Sequence, residues 1–196
     1  MHTTVTEPID SKNLLYPPGG LLIWGLVLME LLTFGAALIA FIVASKSAPD
    51  TFHESAKMLN PLYGVANTVF LLTSGFFMAR SVNHYKEAKH AKSRRCLVLT
   101  LLGGGLFLGL KAVEYNEKIG QGLTIHYDTF FSYYWLLTLF HVMHVLAGIV
   151  ILSYMMFRFR KPTPRMKIED YETGAVFWHM CDLIWLILFP VIYLLL

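Results

Sequence analysis

Apolar residues dominate five stretches of the chain, over 21–44, 61–79, 96–115, 130–159 and 174–196, and polar segments separate them. Each stretch is long enough to cross a bilayer, which takes about 20 residues at about 1.5 Å rise per residue. The pattern predicts five transmembrane helices forming a single domain over 19–196. A polar tail over 1–18 precedes it, ends in Y-P-P-G-G and lacks the basic start and cleavage site of a signal peptide.

The fourth stretch carries two histidines near its middle, His141 and His144, with Gly148 further along. Positions three, four and seven apart share a helix face, so this helix has one side made for partners. Ionisable groups inside a membrane turn toward protein or water rather than lipid, and glycine on the same face lets another helix approach. The other spans carry comparable groups. Glu30 lies near the centre of the first. The second has a small, polar side with Asn67, Thr68, Ser74 and Gly75. The third has Gly105 and Gly109 at small-xxx-small spacing, then Lys111 and Glu114 on one face, read as a pair at the membrane interface. The fifth has His179 and Asp182 three apart, preceded by Glu172.

Composition agrees with a membrane protein. Of 196 residues 56% are hydrophobic and only 15% charged, with mean hydropathy +0.54; soluble domains carry about 25% charged residues. Two cysteines, Cys96 and Cys181, exclude a disulfide scaffold. Charge distribution sets the expected orientation. Twelve of the 16 basic residues fall in the tail and in the second and fourth loops, among them Arg80, Arg94 and Arg95. By the positive-inside rule the N-terminus is cytoplasmic and, after five crossings, the C-terminus lies outside.

Three functions suit this chemistry. The polar groups can tie helices together in an interaction subunit. His141, His144 and His179, with Glu114, can ligate a metal or haem, as Glu and His on facing helices do in bundles. Glu30 and Asp182 can carry protons or ions, although the paired broken helices and internal repeat of transporters are missing.

Five local patterns in order then give a resemblance over nearly the whole chain. They are Trp24, Gly25, Glu30 and Phe34 in the first span; Asn67 and Thr68 followed by Ser74 and Gly75 in the second; Glu114–Tyr115 closing the third; F-H-V-M-H-V-L-A-G around His141, His144 and Gly148 in the fourth; and Glu172, Trp178, His179, Asp182 and Trp185 in the fifth. Together they resemble subunit III of the haem–copper oxidases in its five-helix bacterial form. The resemblance implies an all-α membrane protein with its helices in two bundles, two plus three, around a V-shaped cleft holding phospholipids. It also implies a non-catalytic subunit of the bacterial cytoplasmic membrane with no haem, copper or other metal of its own, bound to the catalytic subunit I, stabilising it and supporting proton delivery. Glu30 takes the place of the family's buried carboxylate. Asn67, Thr68, Glu114, His141, His144, Glu172, His179 and Asp182 become interhelical ties, with His141 and His144 directed to Glu114 or the last helix. Arg80, Arg94 and Arg95 become candidates for lipid phosphates. Met143, where many members have Gly, and the short loop over 116–129 fit divergent members, including the branch associated with nitric oxide reductase. Oxygen and nitric oxide readings of the partner both stand at this point, beside a stand-alone His-ligated protein.

Overall fold

A computed structural model describes residues 17–159 and 166–194 of the chain. The described residues form six helices: α1 (Leu21–Ser47), α2 (Pro49–Lys57), α3 (Pro61–Lys86), α4 (His90–Gly120), α5 (Thr129–Arg158) and α6 (Ile168–Tyr193). All but α2 are long and apolar enough to span a membrane. All but the last two residues of the expected tail, and Arg160, Lys161 and Arg165 of the fourth loop, lie outside the described residues.

Local signals set the helix starts. Pro61 occupies the first turn of α3, where its missing N–H costs nothing, and the Asn60 side chain accepts from the Leu62 N–H at 3.0 Å. Asp128 caps α5 by accepting from the Phe131 N–H at 2.7 Å. The helix α2 sits in a segment read from sequence as a plain polar loop. Pro49 opens it, and Phe52 and Ser55, three apart, face inward. Phe52 enters an aromatic group with Phe41 and Phe130 at ring separations of 5.4–5.9 Å, and Ser55 donates to Asp128.

The hub is α6, which packs against α1, α3 and α5. Its residues Tyr171, Trp178 and Trp185 recur every seven positions and therefore share a face. Each bonds a small hydroxyl on antiparallel α3. Tyr171 OH lies 2.7 Å from Ser81 Oγ, Trp178 Nε1 donates to Ser74 Oγ at 3.1 Å, and Trp185 Nε1 donates to Thr68 Oγ1 at 3.0 Å. Two of these rungs extend to α4, because Ser81 also donates to the Ser93 carbonyl at 2.7 Å and Ser74 to the Thr100 carbonyl at 2.8 Å. Such intramembrane ties average about 0.6 kcal/mol and reach about 2 kcal/mol, so the ladder sets register as much as stability.

Close packing relies on glycine beside Trp178. A Cβ on Gly104 of α4 or Gly148 of α5 would fall 2.6 or 2.8 Å from the indole, which is held between the two helices. The expected small-residue pair in the third span is misplaced: Gly105 and Gly109 face open space, whereas Gly103 and Gly104 make the approaches. The packing also departs from a two-plus-three division. α1 buries Ile23, Val27, Phe34, Leu38 and Phe41, and its long-helix neighbours are α5 and α6, whereas α3 pairs with α4 and α6.

Candidate functional site

Four polar groups are built into the bundle, three within the spans and one at their Lys/Arg-rich end, and they differ in how open they are.

The most enclosed lies toward the last turns of α4 and α6. Lys111 and Glu114, one helical turn apart, are 1% and 0% exposed and 2.8 Å from each other. Glu114 Oε1 accepts from Tyr134 OH at 2.9 Å and Tyr193 OH at 2.7 Å, and Lys111 donates to Tyr193 OH at 2.8 Å. The Lys111 ammonium also lies 5.2–5.4 Å from the rings of Tyr115, Tyr134, Trp185 and Tyr193. Sequence reading paired Lys111 with Glu114 but put the pair at the interface and did not single out Tyr134 or Tyr193. The tyrosine hydroxyls on α5 and α6 donate to Glu114, and that of Tyr193 accepts from Lys111, which lets both groups sit inside. A tyrosine at the end of an apolar run is a weak signal by itself; opposite an i,i+3 Lys–Glu pair it gains meaning.

The second group joins α1 to α5. His144 Nε2 is 3.1 Å from Glu30 Oε2, and the side chains are 14% and 20% exposed. The approach is close enough for charge pairing but is not aligned as a hydrogen bond. His144 Nδ1 is 2.8 Å from the Phe140 carbonyl, which can only accept, so the proton sits on Nδ1. His144 therefore faces the first span, not Glu114 or the last helix as expected.

His141 is fully buried and does reach the last helix, but through its ring. It stacks on Trp185 at 5.3 Å and meets Phe107 edge-on at 5.6 Å. Neither ring nitrogen has a hydrogen-bond partner among the described residues, and the same is true of both amide atoms of buried Asn67. Thr68 accepts from Trp185 and donates to the Gly64 carbonyl at 2.8 Å.

The third group is His179 with Asp182 on α6. Nδ1 lies 3.4 Å from Oδ2, and the side chains are 43% and 9% exposed. The fourth clamps the Lys/Arg-rich end. Glu172 pairs with Lys86 at 2.6 Å and accepts from the Gly19 N–H at 3.3 Å, while Thr173 donates to the Gly19 carbonyl at 2.9 Å. Gly19 has φ +80, and a Cβ there would lie 3.0 Å from the Thr173 backbone, so the position needs glycine twice over. Arg80, Arg94 and Arg95 are exposed at the same end, with the Arg80 guanidinium 5.8 Å from the Phe76 ring.

These groups are dispersed. Among the described residues no three His, Cys, Asp or Glu side chains converge as metal donors. The fold and its polar groups define a polytopic membrane protein whose ionisable side chains work in pairs, within helices and between them.

The chain belongs to the cytochrome c oxidase subunit III family, whose pattern matches residues 20–195. It is 30% identical over 171 residues to the cytochrome c oxidase subunit 3 of Corynebacterium diphtheriae, covering 85% of this chain and 83% of that one. It is 29% identical to a probable cytochrome c oxidase subunit 3 of Mycobacterium leprae, over 97% of this chain and 94% of the relative. It is 26% identical to the cytochrome c oxidase subunit 3 of a Synechocystis species, over 100% and 88%. These names favour the oxidase reading over the nitric oxide and stand-alone readings.

Proposed function

We propose that the chain acts as the non-catalytic subunit III of a respiratory oxidase in the bacterial cytoplasmic membrane. Its N-terminus is cytoplasmic and its C-terminus periplasmic. It is bound to the haem–copper subunit I, which carries the redox centres, while this chain carries no catalytic residue and no haem or metal. Phospholipids bind it, with Arg80, Arg94 and Arg95 meeting their phosphates. The family match and the charge bias of the loops support this assignment.

The observation that carries a functional role beyond architecture is the Glu30–His144 pair. A carboxyl group and an imidazole held 3.1 Å apart on facing helices can relay a proton between them inside the membrane. In this reading Glu30 supports proton uptake by the complex. The test is the assembled oxidase bearing Glu30→Gln or His144→Leu. Both variants assemble with a full haem complement and show the same altered pH dependence of turnover, because each removes one half of a single unit. Loss of assembly in Glu30→Gln would make the pair structural. Metal lost in stoichiometric amount from purified His144→Leu would instead make His144 a ligand. For the lipids, Arg94→Gln with Arg95→Gln lowers co-purifying anionic lipid; an unchanged lipid content would leave those arginines as topology signals.

A further inference from the structure

We infer that the stripe of α6 left open between α1 and α3, centred on His179, seats a transmembrane helix from a partner subunit of the oxidase. The inference rests on the chain being an oxidase subunit and adds where it is held. Three observations meet here.

The first is a gap in the packing. α6 contacts both α1 and α3, yet those two pair with other helices. At the Lys/Arg-rich end the gap opens as a 220 Å³ cavity lined by Pro18, by Ala79, Asn83 and Lys86 of α3, and by Val176 and His179 of α6, among others. Along α6, steps of three and four residues from Val176 lead to His179, Leu183 and Leu186, all on one face. The last three are 43%, 44% and 40% exposed on a helix otherwise largely buried. On α3 the same face runs back from Ala79 to Leu72, 47% exposed.

The second is the chemistry at the centre. His179 stands eleven residues into α6, about 17 Å along its axis, and is the most exposed ionisable side chain this deep in the spans. Its Nδ1 lies 3.4 Å from Asp182 Oδ2, and its side chain, 43% exposed, has no hydrogen bond among the described residues. Asp182 Oδ1 is buried and also without a hydrogen bond. Acyl chains cannot complete an imidazole; side chains of this kind normally face protein or a water-filled cavity.

The third is the frame. The Lys86–Glu172 pair closes the aqueous end, and apolar residues flank His179 beyond it. That sequence of surfaces fits a helix laid along a groove, with one polar side chain opposite His179 and aliphatic contacts on either side.

The test places a photocrosslinking benzoyl-phenylalanine at Leu72 or Leu183, lining the groove, and at Leu102 or Leu106 on the outward face of α4, in the intact oxidase in its own membrane. The expected result is a groove adduct to a haem-bearing oxidase subunit, identified by mass spectrometry after purification of the complex. His179→Leu lowers that adduct about tenfold, the scale of one buried polar contact, while His179→Gln, which keeps hydrogen bonding, retains it. The melting midpoint of the isolated chain does not fall in His179→Leu. Lipid-only adducts at the groove, with subunit adducts at the α4 positions, would overturn the assigned surface and leave the family reading intact. An adduct of twice this chain's mass would make the occupant a second copy and overturn the inference. If no position captures an oxidase subunit and none co-purifies, the accessory-subunit reading itself falls.

Discussion

Breaking the Lys111–Glu114 pair is expected to cost far more than breaking any other polar contact in the bundle, and most of that cost should vanish when both partners go together. Removing one partner of a buried, hydrogen-bonded ion pair costs about 3–5 kcal/mol, because the remaining charge is stranded. The perturbations are Lys111→Met, Glu114→Gln and the double variant. In Lys111→Met the carboxylate keeps only the two tyrosine hydroxyls at 2.9 and 2.7 Å. In Glu114→Gln the ammonium keeps Tyr193 OH and four ring faces. If the sites were independent, the double variant would lose the sum, about 6–10 kcal/mol. As a pair, the double should lose about 2–4 kcal/mol, a coupling of about 3 kcal/mol or more, or over a hundredfold in the unfolding constant. That exceeds the roughly 0.6 kcal/mol of an average intramembrane hydrogen bond, so the cycle separates a buried ion pair from an ordinary tie. The assay is equilibrium unfolding of the purified subunit in mixed micelles, followed by tryptophan fluorescence, with Trp185 5.3 Å from the ammonium serving as local reporter. Additivity within about 0.5 kcal/mol would refute the reasoning.

Three further outcomes use the same assay. Gly104→Ala and Gly148→Ala should each destabilise by about 1–3 kcal/mol, since the new methyl meets the Trp178 indole at 2.6 or 2.8 Å; Trp178→Phe should recover part of the loss, and no recovery would mean the glycines act through backbone rather than space. Asn67→Leu should leave stability unchanged or raise it, because both amide atoms lack partners among the described residues; a loss above about 1 kcal/mol would reveal a hydrogen bond at that site. Thr68→Val should cost about 0.6–2 kcal/mol by orphaning the Trp185 N–H, a tie 3.0 Å long; a null result would make that rung geometric only.

The spans were legible because insertion is governed by run length and hydropathy, which are local properties. The helices extend beyond the apolar runs by a turn or more, as in α3, which continues through the charged Arg80–Lys86 stretch, where helical hydrogen bonds persist in water as well as in lipid. Helix neighbours were not legible. Every membrane helix is apolar on most faces, so hydropathy does not say that α1 turns to α5 and α6. Pairings within one helix, Lys111 with Glu114 and His179 with Asp182, follow from three-residue spacing. Pairings between helices, Glu30 with His144 and Tyr193 with Glu114, depend on depth and rotation, which single runs do not encode. Glycine spacing misled for the same reason: Gly105 and Gly109 satisfy the motif, but rotation of α4 turns Gly103 and Gly104 inward instead.

The polar groups divide by openness, and that division bears on what each can do. The Lys111–Glu114–Tyr134–Tyr193 cluster and the Tyr171–Trp178–Trp185 ladder bond their polar groups inside the bundle and hold α3, α4, α5 and α6 in one register. Networks of that kind are closed to anything outside. The two incomplete pairs are Glu30–His144, which bridges α1 to α5, and His179–Asp182, which lies on the α6 face toward the α1–α3 gap. α1 is also the span with the smallest share of its surface buried in the bundle. α6, which carries His179, packs against α1, which carries Glu30. Occupancy of the groove and proton relay through the Glu30–His144 pair should be coupled through that packing. The coupling has a direct consequence: His179→Leu in the assembled oxidase should shift the same pH dependence that Glu30→Gln alters, and His179→Gln should not. If His179→Leu releases the partner helix yet leaves that pH dependence untouched, the two pairs act independently and α1 transmits nothing between them.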